Sequence, residues 1–201
     1  VLDCVLVEPN EWWIGQHKVS TISTRFPGGV IPQRLSDSAV SRAYHKMSEA
    51  LQWSELPLRR SEKCVEIGSA PGGATQMLLE RGLVVVGVDP ADMDERILAH
   101  PRFTHVRKRG RDLRKRDLRG FRWLVADSNV VPRQTLDTVE SIATHAAVQL
   151  RGLLLTLKLP DWNLAEEIPS YVDRVRGWGF KHVRLRQLAT NRREVCLAAL
   201  R

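Results

Sequence analysis

The apolar segments of the chain predict strands and helices that alternate from residue 63 onward. Apolar runs without regular polar alternation are typical of parallel strands that are buried on both faces. Such strands are predicted at 63–68, 83–88, 102–106, 121–126 and 153–158, with two further strands at 181–188 and 194–200. Helical spacing of apolar residues predicts helices at 41–51, with Ser41 as its N-cap, and at 74–81, 133–150 and 165–178. This order indicates an α/β fold with a doubly wound, mostly parallel sheet, to which the last two strands add one antiparallel edge strand.

The first 35 residues do not follow this alternation. VLDCVLV at 1–7 alternates as a short strand, and the segment after it contains Pro and Gly with little periodicity. We therefore divide the chain into 1–35, an N-terminal arm or the tail of a missing domain, and 36–201, one folded domain.

Composition excludes several classes of protein. No apolar run approaches the roughly 20 residues that span a bilayer, and the first residues lack the features of a secretory signal. Cys4, Cys64 and Cys196 are odd in number and far apart, which favours a reducing cytoplasm over a disulfide framework. No CxxC or HExxH spacing occurs, so we expect no metal site.

The positive charge of the chain is concentrated in one segment. The net charge is +8, and the segment from Arg102 to Arg122 holds ten basic residues against Asp112 and Asp117. A phosphate backbone is attracted to such a segment, although a solvated loop without a partner is the alternative. The candidate RNA-binding residues are Arg107, Lys108, Arg109, Arg111, Arg114, Lys115 and Arg116.

A glycine-rich turn follows the strand at 63–68, in the sequence EIGSAPGGAT at 66–75. Such a turn between a strand and a helix lets the backbone approach a ligand closely. The dinucleotide pattern GxGxxG fails because Ala70 stands at its second glycine, which disfavours a nicotinamide oxidoreductase. Asp89 ends the next strand, 21 residues after Gly68. At this position a carboxylate can accept hydrogen bonds from both hydroxyls of a ribose. A cofactor with a ribose but no pyrophosphate fits this pattern, and S-adenosylmethionine is the leading candidate.

A lysine stands near the end of a leucine-rich strand, in LLLTLKLP at 153–160. Burial of an ammonium group without a partner costs several kcal/mol. Lys158 therefore either extends to the surface at the end of the strand or serves a site there.

These motifs resemble those of the FtsJ-like ribose 2′-O-methyltransferases. That family has Lys, Asp, Lys and Glu in this order at the ends of core elements, and Lys46, Asp127, Lys158 and Glu194 stand in matching contexts. The resemblance covers about residues 26–201. FPGGVIP and TLKLP are most similar to the bacterial 23S rRNA cytidine 2′-O-methyltransferases, which carry a further N-terminal THUMP-containing RNA-binding domain. The chain departs from the family at Glu66, where aspartate is commoner, and at Ala74, where tryptophan is frequent.

The resemblance implies a Rossmann-like class I S-adenosylmethionine methyltransferase fold, with residues 36–201 as the methyltransferase domain. It implies that Lys46, Asp127, Lys158 and Glu194 are catalytic. The cofactor-binding residues would be Glu66, Gly68, Ser69, Ala70, Pro71, Gly72, Gly73, Asp89, Asp112 and Asp127. The substrate would be a ribose 2′-hydroxyl of RNA, a cytidine of 23S rRNA, in naked RNA or an assembling large ribosomal subunit in the cytoplasm. A catalytically inactive RNA-binding protein on the same fold is the alternative.

Within this hypothesis Lys158 either accepts the hydroxyl proton or orients an oxygen lone pair toward the methyl group. Burial beside the ammonium of Lys46 would lower the pKa of Lys158, whereas Asp127 and Glu194 would raise it.

Overall fold

The computed structural model describes residues 1–32 and 36–201. Within these ranges the strands are β1 (Leu2–Glu8), β2 (Glu11–Gln16), β3 (Lys63–Ile67), β4 (Val84–Val88), β5 (Phe103–Val106), β6 (Trp123–Ala126), β7 (Gly152–Lys158), β8 (His182–Arg186) and β9 (Glu194–Leu200). The helices are α1 (Ala43–Ser54), α2 (Gly73–Glu80), α3 (Glu95–Leu98), α4 (Pro132–Ala143) and α5 (Ile168–Gly177). The predicted domain boundary after residue 35 falls at residues 33–35, which lie outside the described residues. No helix in the described ranges is long and apolar enough to cross a membrane.

Seven strands form one sheet in the order β5-β4-β3-β6-β7-β9-β8. Strands β5, β4, β3, β6 and β7 pair in parallel, and β9 runs antiparallel to both of its neighbours. The mostly parallel sheet with one antiparallel strand near the C-terminus is therefore confirmed. The predicted edge position of that strand is wrong, because β9 lies inside the sheet and β8 forms the edge. Burial explains this order: β9 is almost entirely buried, whereas β8 carries Arg184 and Arg186, which suit an edge.

The strand order reverses between β3 and β6, because the chain adds β4 and β5 on one side and β7 on the other. In open α/β sheets this reversal opens a crevice at the carboxyl ends of the central strands. Apolar side chains cover both faces of the sheet. Leu136 and Val139 of α4 pack on one face, and Met47 of α1 and Leu78 of α2 pack on the other.

Several predicted helix limits are wrong. Helix α1 extends to Ser54 rather than to residue 51, and α5 begins at Ile168 rather than at residue 165. Helix α4 ends at Ala143 rather than at residue 150, because Thr144 donates its hydroxyl to the Glu140 carbonyl at 2.7 Å and the chain turns there. Val148 and Leu150 are instead buried in the extended connection to β7. The N-cap of α1 is Arg42 rather than Ser41, although the Ser41 hydroxyl accepts a hydrogen bond from the Ala43 amide at 3.3 Å.

The predicted arm contains two different parts. Strands β1 and β2 form an antiparallel hairpin outside the main sheet, and almost all its residues are exposed. The segment 17–32 lies on the main domain: the Ile22 amide donates to Glu55 at 3.3 Å, and Arg186 donates to the Gly28 carbonyl at 3.0 Å. Strand β2 was not predicted, because its short run EWWIGQ lacks regular alternation and its strand structure comes from pairing with β1.

Candidate active site at the carboxyl edge of the sheet

Four charged side chains meet where β6 and β7 end. Asp127 directly follows β6, and Lys158 is the last residue of β7. Glu194 begins β9 and is the register partner of Lys158 across the antiparallel pair. Lys46 lies on α1, which packs over this edge of the sheet. Distant segments thus supply all four predicted catalytic residues to one place.

The four side chains form a closed ring of alternating charge. The ammonium of Lys46 lies 2.9 Å from Asp127 Oδ2 and 2.6 Å from Glu194 Oε1. The ammonium of Lys158 lies 3.1 Å from Asp127 Oδ1 and also contacts Glu194 Oε2 closely. Their side chains are 9–24% exposed, so each charge is largely removed from water. Mutual pairing offsets that desolvation, and removal of one member would leave an unpaired buried charge.

The ring determines the protonation state of Lys158. Burial alone would lower the pKa of this lysine, but the charges and hydrogen bonds of Asp127 and Glu194 outweigh it, so the pKa is raised above 10.5. The lowering expected from burial and from Lys46 therefore does not prevail. At pH 7.5 a lysine with the ordinary pKa is uncharged in about one molecule in a thousand, and a raised pKa reduces that fraction further. Lys158 is thus an ammonium ion in the protein without substrate.

A cavity of about 800 Å³ lies beside the ring. The carboxyl ends of β3, β4 and β6 and the first turns of α4 form its walls. Asp127 belongs both to the ring and to the cavity wall. A molecule in this cavity could therefore contact the charged ring through Asp127.

Two glycines of the predicted cofactor turn are required by close packing. Gly68 has φ +80°, and a Cβ there would lie 2.5 Å from the carbonyl oxygen of Asp127. A Cβ at Gly73 would lie 2.2 Å from the Ser41 hydroxyl, so this glycine lets α2 approach the chain just before α1. The turn is thus held close both to Asp127 and to the helix that carries Lys46.

Asp89 joins the glycine-rich turn to β4. Its Oδ2 accepts a hydrogen bond from the Ala70 amide at 3.2 Å, and its Oδ1 accepts one from the Ala91 amide at 2.8 Å. The carboxylate lies in the cavity wall. Each oxygen has a further lone pair with which it can accept a ligand hydroxyl.

The predicted cofactor residues separate into two groups. Those that line the cavity are Gly68, Ala70, Asp89 and Asp127. Those outside its lining are Glu66, Ser69, Pro71, Gly72, Gly73 and Asp112. The side chain of Asp112 is 56% exposed and lies 3.8 Å from Arg111. Its predicted role in cofactor binding stays a prediction.

Glu66 is fully buried beneath the glycine-rich turn. Burial raises its pKa to about 8, and the hydrogen bond that the Thr75 hydroxyl donates at 2.6 Å only partly opposes this. Near neutral pH the carboxyl group is therefore mainly uncharged. It supports the start of α2 from below the cavity.

The basic segment also divides into two groups. Four of these residues line the cavity: Lys108, Arg109, Arg111 and Lys115. Arg107 pairs with Asp92, Arg114 lies 3.2 Å from Asp117, and Arg116 is exposed. The proposed RNA contact by this segment stays a prediction.

Sequence reasoning missed the part of the cavity wall formed by α4 and the loop before it, which includes Ser128, Asn129, Gln134, Thr135 and Thr138. The hydroxyl of Thr135 is buried and has no hydrogen-bond partner among the described residues. A signal was available, because Thr135 and Thr138 share one helical face shortly after Asp127.

Other catalytic chemistries find little support here. Burial raises the pKa of the Cys64 and Cys196 thiols, which makes them poor nucleophiles. The described residues contain no group of three or more His, Cys, Asp or Glu side chains placed to hold a metal ion.

Comparison with known proteins finds relatives that carry the name of an rRNA methyltransferase. The "Ribosomal RNA large subunit methyltransferase M" of Methylococcus capsulatus is 32% identical over 182 residues, which cover 86% of this chain and 51% of that protein. The protein of the same name from Idiomarina loihiensis is 27% identical over 182 residues, which cover 88% of this chain and 48% of that protein. This chain thus spans about half the length of the curated relatives it matches.

Solved structures share the fold at low sequence identity. Aeropyrum pernix fibrillarin, solved with natively bound S-adenosyl-L-methionine, has a TM-score of 0.58 at 19% identity, over 79% of this chain and 76% of that one. The Methanococcus jannaschii fibrillarin pre-rRNA processing protein has a TM-score of 0.61 at 12% identity, over 98% and 92%. These neighbours confirm the Rossmann-like methyltransferase fold. The model of the FtsJ-like methyltransferase family matches residues 39–167, so this chain belongs to the FtsJ-like methyltransferase family.

Proposed function

We propose that this chain catalyses S-adenosylmethionine-dependent methyl transfer to a ribose 2′-hydroxyl of RNA. The observation that carries the proposal is the closed ring of Lys46, Asp127, Lys158 and Glu194 at the side of a ligand-sized cavity. The family match and the names of the relatives support an RNA substrate. We propose a cytidine of 23S rRNA as the target and the cytoplasm as the compartment, in line with the motifs FPGGVIP and TLKLP.

The cavity fits the cofactor. Its volume of about 800 Å³ lies within the range of about 300–1,000 Å³ that is usual for small-molecule sites. The Asp89 carboxylate can accept the two ribose hydroxyls, and the unpartnered Thr135 hydroxyl can bond a polar edge of the adenine. When bound, S-adenosylmethionine would supply a sulfonium methyl group that needs no further activation.

We propose that Lys158 orients the hydroxyl rather than acting as the initial base. Its raised pKa keeps it charged, and an ammonium can donate a hydrogen bond to the 2′-oxygen while another lone pair points at the methyl carbon. Asp127 and Glu194 fix the direction of that ammonium. Methyl transfer would break the sulfur–methyl bond, release S-adenosylhomocysteine and leave the former hydroxyl proton on the new ether oxygen. Asp127 and Glu194 are the carboxylates of the ring that could accept this proton.

Lys46 has a supporting role in this scheme. It bonds the second oxygen of each carboxylate and therefore holds both in the plane of the ring. Its charge also keeps the ring neutral overall, which limits the cost of burying two carboxylates. Loss of Lys46 should therefore cost less activity than loss of Lys158.

The test is transfer of a tritiated methyl group to 23S rRNA from cells that lack the protein, under single-turnover conditions. Lys158→Ala should lower the rate at least about a hundredfold, since positioning and proton-transfer effects are each worth about 10²–10⁴-fold. Lys158→Arg should not restore it, because a planar guanidinium does not reproduce the ring geometry. Lys63→Ala is the matched control and should retain activity, because Lys63 begins β3, at the end of the strand that faces away from the cavity.

Near-normal transfer by Lys158→Ala would overturn the proposed mechanism. If the unaltered protein binds RNA and the cofactor but transfers no methyl group to any rRNA, the inactive RNA-binding protein is the better description. A calorimetric titration of each variant with S-adenosylmethionine separates lost chemistry from lost cofactor binding.

We also propose that residues 1–16 pack against a further, RNA-binding domain. The hairpin exposes Leu2, Leu6, Trp12, Trp13 and Ile14 at 60–70%. So much exposed apolar surface in a small hairpin is typical of a face that another domain covers.

A further inference from the structure

We propose that Trp162, Arg192 and Arg193 form a platform for the nucleotide next to the target ribose. The indole would stack on the base of that nucleotide, and the two guanidinium groups would contact its phosphates. The inference rests on the proposed function, since it deepens how that site holds RNA. It concerns residues outside both the charged ring and the basic segment 102–122.

Trp162 is unusually exposed for its place in the fold. Its exposed fraction is 60%, whereas the other tryptophans after residue 36, Trp53, Trp123 and Trp178, are only 2–8% exposed. Its indole N–H has no hydrogen-bond partner among the described residues. A large aromatic surface left in water is favourable to bury, and a nucleic-acid base offers a flat π-face for it.

The position of Trp162 relates it to the reacting group. It lies in a short 3₁₀ helix, Trp162–Ala165, that begins four residues after Lys158, so the two Cα atoms are at most about 14 Å apart. The Asp161 carboxylate caps this helix by accepting the Asn163 amide at 3.0 Å. The Leu159 amide donates to the Arg193 carbonyl at 2.7 Å, which ties the start of this segment to the chain before Glu194. The backbone that carries Trp162 is thus held close to the end of β7, where Lys158 lies.

Arg192 and Arg193 stand on the other side of that link, directly before Glu194 of the ring. Both are exposed, and neither forms an ion pair with a residue in the described part of the chain. Gln187 donates to the Arg192 carbonyl at 2.7 Å, so the backbone of this turn is also held. An unpaired guanidinium presents a planar set of donors that matches a phosphate.

The neighbouring acidic residues shape what each group can contribute. Asp161, Glu166 and Glu167 are the acidic neighbours of Trp162 along the chain. Asp161 caps the 3₁₀ helix, and Glu167 accepts a hydrogen bond from the Tyr171 hydroxyl at 2.9 Å. Electrostatic attraction is therefore limited to the two arginines, whereas the contribution of Trp162 is stacking. Stacking should depend little on salt, and phosphate contacts should depend on it strongly.

The experiment measures tritiated methyl transfer to 23S rRNA from cells that lack the protein, at varied RNA and saturating cofactor. Trp162→Ala should raise the KM for RNA by roughly 5- to 150-fold, the range expected for one lost stacking contact, with kcat nearly unchanged. Trp162→Phe should restore most of the affinity, and Trp162→Leu should not, because a leucine is apolar but has no π-face. Leu98→Ala, an exposed apolar residue on α3 that lines neither the cavity nor the ring, is the control and should have a much smaller effect.

Salt dependence separates the two parts of the platform. Replacement of Arg192 and Arg193 by Ser should reduce the slope of log affinity against log salt by about 0.7 per lost single-strand phosphate contact. Trp162→Ala should leave that slope unchanged. An unchanged KM in Trp162→Ala, or equal KM values for Trp162→Phe and Trp162→Leu, would overturn the stacking proposal. An unaltered slope in the double arginine variant would overturn the phosphate contacts.

Failure of the proposed function would look different. The unaltered protein would then transfer no methyl group, whereas direct titration of the same variants with RNA, without cofactor, would still test the platform. Loss of RNA affinity in Trp162→Ala but not in Leu98→Ala would support the platform in either case.

Discussion

Replacement of Glu66 by Gln should change how the stability of this protein depends on pH. Glu66 is fully buried beneath the glycine-rich turn and forms no ion pair with a described residue. Burial raises its pKa from 4.5 to about 8, against the opposing effect of the hydrogen bond from Thr75. The folded protein therefore binds the Glu66 proton more tightly than the unfolded chain does.

The sign and size of the effect follow from this difference. Between pH 4.5 and about 8 the folded state holds more protons than the unfolded state, so the free energy of unfolding falls as pH rises. One pKa unit corresponds to about 1.36 kcal/mol, so the full shift corresponds to about 5 kcal/mol. The penalty is absent below the unfolded pKa and complete above the folded one. Glutamine cannot ionise, so Glu66→Gln removes it while keeping an acceptor for the Thr75 hydroxyl.

Urea denaturation at several pH values between about 5 and 9 measures the effect. Over this window the unaltered protein should lose roughly 2–5 kcal/mol more stability than Glu66→Gln does. Thr75→Val is the companion variant: it removes the hydrogen bond that favours the charged form, so the loss should begin at the same pH but continue to higher pH. Parallel pH profiles for the unaltered protein and Glu66→Gln would show that Glu66 is already ionised at low pH, and would refute the reasoning.

Three further changes test other parts of the structure. Asp89→Ala should weaken S-adenosylmethionine binding by about 1.5–3 kcal/mol in a calorimetric titration, and unchanged affinity would remove Asp89 from the site. Glu49→Ala should lower the free energy of unfolding in urea by about 2–4 kcal/mol. The buried Glu49 carboxylate accepts hydrogen bonds from the amides of residues 189 and 190 and from the Thr190 hydroxyl. A loss below about 1 kcal/mol would contradict this. Replacement of Arg114, Arg116 and Arg119 by Ser should flatten the salt dependence of RNA binding and leave cofactor affinity unchanged, because none of them lines the cavity. An unaltered salt slope would indicate that this surface is only solvated.

The central strands could be predicted from the sequence because their local apolar composition indicates that they are buried. Strands β4 and β6 are apolar throughout and β3 and β7 are mainly apolar, and the structure has each within about two residues of the predicted limits. The place of β9 inside the sheet could not be predicted in this way. It depends on whether β8 or β9 pairs with β7, and this pairing joins segments that are far apart in the chain.

The candidate site divides along the same line. Lys46, Asp127, Lys158 and Glu194 could be named from the sequence because they follow recognisable motifs in a fixed order. The part of the cavity wall that contains Thr135 could not be predicted, because α4 meets the end of β6 only in the folded protein. The sequence likewise suggested that the basic segment forms one charged surface, whereas four of its residues line the cavity in the structure.

Local patterns in this chain thus specify the α/β alternation, the glycine-rich turn and the identities of the charged residues, because each depends on neighbours within a few positions. The protonation states of Lys158 and Glu66 follow from the folded arrangement instead. Lys158 keeps its proton because two carboxylates from separate segments lie against it, and Glu66 keeps its proton because it is buried without a cation. Electrostatic energy depends on distance and on exclusion of water, and neither quantity exists until the chain has folded.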